Sequence, residues 1–138
     1  ATDAARNQQP ATPPTPGPSG EGGRIAYLDE ISTLGETTVA EFYQERALTV
    51  SRFNPEPYPL QPATLADLVG GDKLTNAETA RQILRGDERG PKRDAVLLNA
   101  AAALFVAGRS RSLSEGWELA GELIRSGAAA AKLAQIVS

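Results

Sequence analysis

Residues 94–108 read DAVLLNAAAALFVAG, and between Ala95 and Val106 the single strongly polar side chain is Asn99. As a helix the stretch would extend roughly 22 Å, at about 1.5 Å per residue. A helix that is apolar nearly all round cannot present a face to water, so it demands cover on several sides. Its apolar run of about 12 residues falls well short of the roughly 20 needed to cross a bilayer. The expectation is therefore a buried core helix, with the rest of the ordered chain as its cover.

The 138 residues suffice for one domain around one core, and 41% of them are hydrophobic. Net charge is −3 with no long basic run, so nucleic acid is not an expected partner, and neither is a membrane. The chain has no Cys and no His. That excludes thiol nucleophiles, disulfides, histidine bases and Cys/His metal sites. Chemistry must come from carboxylates, hydroxyls, Lys, Arg, backbone amides or a bound metal. No apolar segment of signal-peptide type opens the chain, and a cytoplasmic setting is compatible with the composition.

Residues 1–23 hold five Pro and four Gly, with alanine as their only apolar side chain. Such a stretch buries too little to offset ordering costs of roughly 1–2 kcal/mol per residue. It reads as a flexible tail or linker, with the ordered domain over residues 24–138. Ile25, Tyr27 and Leu28 are expected to form a short strand. Residues 37–43 and 47–53 are rich in β-branched and aromatic side chains and predict an antiparallel hairpin. Pro55, Pro57, Pro59 and Pro62 then impose an extended connection.

Helices follow. Residues 64–69 predict one short turn, ended by Gly70 and Gly71. Thr75 and Glu78 have the spacing of a capping box for a helix running to about Arg85, with Gly86 suited to the left-handed terminus. Pro91 fits the first turn of the core helix, and Gly108 closes it. Ser112 and Glu115 repeat the box ahead of a helix with Leu113, Trp117, Ala120 and Ile124 on one face. A last segment, 128–137, is expected to place Leu133, Ile136 and Val137 against the bundle. Taken alone, these elements make an α+β chain, a β-hairpin plus C-terminal helices.

Several motifs in this order resemble the anthranilate phosphoribosyltransferases: LDEIST at 28–33, TTVAEF at 37–42, LVGGD at 68–72, NAE at 76–78, ILRG at 83–86, LLNAAAALFVAG at 97–108 and SLSEGWELAGELIRSGAAAAKL at 112–133. The resemblance covers about residues 27–137 and implies a C-terminal fragment of the α/β domain of a nucleoside phosphorylase/phosphoribosyltransferase-like fold. The implied reaction is attack of the anthranilate amine on C1 of phosphoribosyl pyrophosphate with release of pyrophosphate, in tryptophan biosynthesis. It also implies a homodimer, formed through helices that have no counterpart here. The family's GTGGD phosphate loop, KHGN segment and anthranilate-side arginine are likewise not among these residues. Gly70-Gly71-Asp72 matches a later turn of the family rather than that loop, and Tyr27 stands where the family usually has Gly.

Asp29 and Glu30 match the family's paired magnesium ligands, so the resemblance implies Mg2+ as cofactor at those two positions. The residue types suit it, because Mg2+ takes one or two carboxylates and completes its shell with water and phosphate oxygens. No catalytic residue is assigned within the chain. Ser32 and Thr33 read as helix caps, Asn99 as a group satisfying buried backbone, and Trp117 as a core anchor. Lys73, Arg81, Arg85, Lys92 and Arg93 read as solvated surface. The expected product is inactive without the missing half, and the competing reading is a non-catalytic structural or docking module.

Overall fold

The computed structural model describes residues 28, 30–43 and 47–137. The expected tail, Ile25, Tyr27, Asp29 and the hairpin turn at 44–46 lie outside the described residues. Strands β1 (Thr37–Tyr43) and β2 (Ala47–Phe53) are followed by α1 (Leu65–Leu68), α2 (Lys73–Arg85), α3 (Pro91–Val106), α4 (Leu113–Arg125) and α5 (Ala128–Val137). Among the described residues this is one two-stranded sheet and a helical bundle, an α+β arrangement.

The strands pair antiparallel, as the two β-branched and aromatic runs predict, with Thr37 opposite Phe53 and Tyr43 opposite Ala47. The hairpin is thinly covered: Phe42 is 82% exposed and Leu48 and Val50 are also exposed. Leu28 is not in a strand.

The core lies between α3 and α4. On α3, Asp94, Leu97, Leu98 and Ala101 are buried, a spacing of three, one and three that makes one stripe. On α4 the stripe is Gly116, Trp117, Ala120, Gly121 and Ile124. Leu97 and Leu98 are fully buried, each contributing about 1.5–3 kcal/mol. The two helices approach closely because residue 116 is glycine. A Cβ there would lie 2.6 Å from the Ala101 carbonyl oxygen and 3.0 Å from its Cα. The expected cover is incomplete: α4, α1 and Ile31 lie against α3, but Val96, Ala103, Val106 and Ala107 are exposed, so one side of the helix is uncovered among the described residues. Ile136 and Val137 are also exposed, and only Leu133 of the expected trio is half-buried.

Local chemistry sets the helix ends. Asp72, not Thr75, caps α2: its carboxylate accepts from the Thr75 N–H at 2.8 Å. Aspartate three residues before that N–H offers an acceptor where Thr75 would itself start a turn too late. Gly86 ends α2 at φ 82°, a left-handed conformation in which a Cβ would be strained. Pro91 opens α3, and Ser112 caps α4 by accepting from Glu115 N–H at 3.1 Å. The Glu115 carboxylate reaches back to Arg111 N–H at 2.8 Å, one residue earlier than in a reciprocal box. The proline-rich connection is fastened to the bundle at two places. Tyr58 packs between Phe53 and Trp117, with centroids 5.7 and 5.5 Å away. Buried Asp94 accepts the Gln61 N–H at 2.8 Å.

Candidate functional site

A cleft of about 610 Å³ opens between residues 30–33, α2 and the first half of α3. Its floor is apolar, from Ile31, Ile83, Leu84, Ala95 and Val96, and its polar groups come from Glu30, Thr33, Asn76, Thr79, Lys92 and Asn99. A mostly apolar cavity with a few convergent polar groups is the usual form of a small-molecule site.

Glu30 is exposed on the rim and makes no hydrogen bond or ion pair among the described residues. Its predicted companion, Asp29, lies outside them. Ser32 and Thr33 cap no helix. Ser32 Oγ instead accepts from Leu34 N–H at 3.0 Å, closing a local turn, and Ser32 N–H donates to Thr37 Oγ1 at 3.0 Å. Serine bonds its own backbone two residues on wherever the chain turns, helix or not. Thr33 Oγ1 is buried without a partner among the described residues.

Asn99 does what a lone polar group in an apolar helix suggests. Its Oδ1 accepts from Ile31 N–H at 2.9 Å, and its Nδ2 donates to the carbonyls of Ile31 and Ala95, each at 3.0 Å. The core helix thus grips the residue next to Glu30, across 68 positions of sequence. On α2, Asn76 closes the cleft's far lip, accepting from Gly71 N–H at 2.8 Å and donating to the Gly71 carbonyl at 3.0 Å. Nearby, the Thr75 backbone N–H and then its hydroxyl hold the Asp72 carboxyl below its ordinary value of 3.8. The Thr64 N–H and then its hydroxyl do the same for Asp67.

The cations divide. Lys73, Arg81 and Arg85 are exposed, Arg81 pairing with Glu78 at 3.7 Å, as surface residues do. Lys92 corrects the expectation, being half-buried and lining the cleft, and Arg93 is half-buried at 3.8 Å from Asp94. Gly90 and Pro91 before Lys92 mark a helix start in the sequence, but not the cleft, which packing creates. No group of three or more His, Cys, Asp or Glu is placed to hold a metal among the described residues.

Residues 22–130 match the sequence pattern described as "Glycosyl transferase family, a/b domain". The chain belongs to this family. Among its relatives, an anthranilate phosphoribosyltransferase of Phenylobacterium zucineum is 46% identical over 112 residues, which is 81% of this chain and 33% of the relative. One from Caulobacter vibrioides is 47% identical over 111 residues, 80% of this chain and 32% of the relative. In three dimensions the chain is similar to the crystal structure of anthranilate phosphoribosyltransferase from Thermus thermophilus, with a TM-score of 0.65 and 40% identity over 74% of this chain and 30% of that one. The chain therefore spans about a third of the length of the curated relatives it matches. Among the described residues no helix is long and apolar enough to cross a membrane.

Proposed function

We propose that this glycosyl transferase family chain forms the acidic wall of an anthranilate phosphoribosyltransferase site, working with residues that lie outside it. The reaction is transfer of the phosphoribosyl group from phosphoribosyl pyrophosphate to anthranilate. The amine nitrogen bonds to C1, the C1–oxygen bond to pyrophosphate breaks with its electron pair leaving on pyrophosphate, and the amine gives up a proton to solvent or to that released anion. Tryptophan biosynthesis in the cytoplasm is the setting, with residues 24–138 as the folded portion behind a 1–23 linker and a homodimer as the assembly.

The observation that carries this reading is the unengaged Glu30 carboxylate on the rim of a cleft, within a chain 46% identical to an enzyme of that name. A free carboxylate beside polar rim groups fits Mg2+, which binds one or two carboxylates and leaves room for phosphate oxygens. Glu30, with Asp29 as its sequence neighbour, would hold the ion. When bound, the ion neutralises charge on the departing pyrophosphate. Glu30 would present its carboxylate to the ion at the rim, and the apolar floor formed by Ile31, Ile83 and Leu84 offers an aromatic ring a surface that excludes water.

The test follows anthranilate fluorescence. The chain is assayed alone and together with the other two-thirds of a relative, added as a second polypeptide. Consumption is expected only in the mixture, and in it Asp29→Ala should cut kcat far more than it raises KM for anthranilate. Turnover by the chain alone, or an unchanged kcat in the variant, refutes the assignment.

A further inference from the structure

The Asn99 carboxamide is occupied by main chain on three sides: Ile31 N–H, Ile31 carbonyl and Ala95 carbonyl. The first bond holds the peptide unit joining Glu30 to Ile31, and the second holds the unit joining Ile31 to Ser32. That second unit is held again from its other end, where Ser32 N–H donates to Thr37 Oγ1. Both peptide planes flanking Ile31 are therefore fixed, while the Ile31 side chain packs on the core cluster. Glu30 is the residue immediately outside this clamp, exposed and without a partner among the described residues. With no bond holding the side chain among the described residues, the place of its backbone decides which positions its carboxylate can reach.

We infer that Asn99 is a positioning residue: through Ile31, and with Thr37 as a second pin, it sets the direction in which Glu30 presents its carboxylate to a divalent cation. A flexible loop would bring the same carboxylate to the rim but spread it over many orientations. Groups that orient a metal's ligands typically matter by roughly 10–100-fold in affinity. This inference rests on the reading that Glu30 takes a divalent cation.

The experiment uses the 138-residue chain and Mn2+ alone as probe. Paramagnetic broadening of the Glu30 and Ile31 amide resonances is titrated, with the hairpin residue Glu41 as an internal reference for an ordinary carboxylate. Wild type is expected to broaden at residues 30–31 at lower Mn2+ than at Glu41. Asn99→Leu should raise that midpoint by about tenfold or more, and Thr37→Val should raise it less. Ile124→Val, which loosens the core without removing any of the clamp's hydrogen bonds, should lower the melting temperature and leave the midpoint alone. Either clamp variant showing a wild-type midpoint, with the Ile31 or Ser32 amide newly exchanging, overturns the positioning role. Glu30→Gln separates the two layers: unchanged broadening there refutes the divalent-cation reading itself, whereas lost broadening with a normal Asn99→Leu refutes only the clamp. Should Asn99→Leu not fold, Thr37→Val decides.

Discussion

Two buried glycines on α4 should respond to alanine with opposite signs. At Gly116 a new Cβ would sit 2.6 Å from the Ala101 carbonyl oxygen and 3.0 Å from both Ala101 Cα and Ser110 Oγ. Two of those three atoms are backbone of the core helix, so α3 and α4 must separate. Overpacking of this kind costs about 1–3 kcal/mol. Alanine's better helix propensity returns about 1 kcal/mol, leaving a net loss of up to about 2 kcal/mol. At Gly121 the nearest atom is Arg125 Nη1 at 3.1 Å, the far end of a flexible side chain. The guanidinium can yield, at the expense of its exposed pair with Glu122 at 2.8 Å, a contact worth about 0–1 kcal/mol. Gly121→Ala should therefore stabilise by a few tenths to about 1 kcal/mol. Urea unfolding followed by Trp117 fluorescence measures both, and each 1 kcal/mol moves the melting temperature by roughly 2–8 °C in domains of this size range. If Gly116→Ala stabilises as much as Gly121→Ala, the close helix approach is not real.

Asp94→Ala should destabilise by roughly 1–3 kcal/mol, because it leaves the Gln61 N–H without its acceptor; thermal unfolding checks it, and a neutral variant would mean that water replaces the carboxylate. Asp72 supplies a pH signature. Its carboxyl is held low by the Thr75 N–H, so the cap's stabilisation is complete above 3.8 and is lost as pH falls through the lowered folded value. The melting-temperature gap between wild type and Asp72→Ala should therefore narrow in acid, and a gap that widens there contradicts the cap.

What could be read from the sequence was mostly what acts over three or four residues. Ser112 announced its helix, and so did Pro91 and Gly86, since caps and left-handed termini depend on near neighbours. The hairpin was legible for the same reason. Asn99 was legible by contrast, a lone amide among alanines and leucines, though nothing in the sequence named Ile31 as its partner. Tertiary pairs were not legible. Asp94 with Gln61, Tyr58 against Trp117 and Lys92 in the cleft each join segments whose proximity arises only from packing. The start of α2 differs from the expectation because Thr75 and Asp72 are both competent caps, and the choice falls to whichever side chain meets the free N–H. Of the candidate acids, Glu30 is located on the cleft rim, while Asp29 lies outside the described residues.

The uncovered side of α3 also has a meaning for anyone who edits this chain. Val106 is 85% exposed and lies outside the lining of the cleft. An optimiser given this chain alone would swap it for lysine or glutamate and gain solubility. Made where another surface lies against that side of the helix, the same edit would place a bare charge in an apolar contact. Tolerance at Val106 is thus a meter for occupancy. A mutational library scored for abundance would report from one column whether the core helix has a neighbour on its far side.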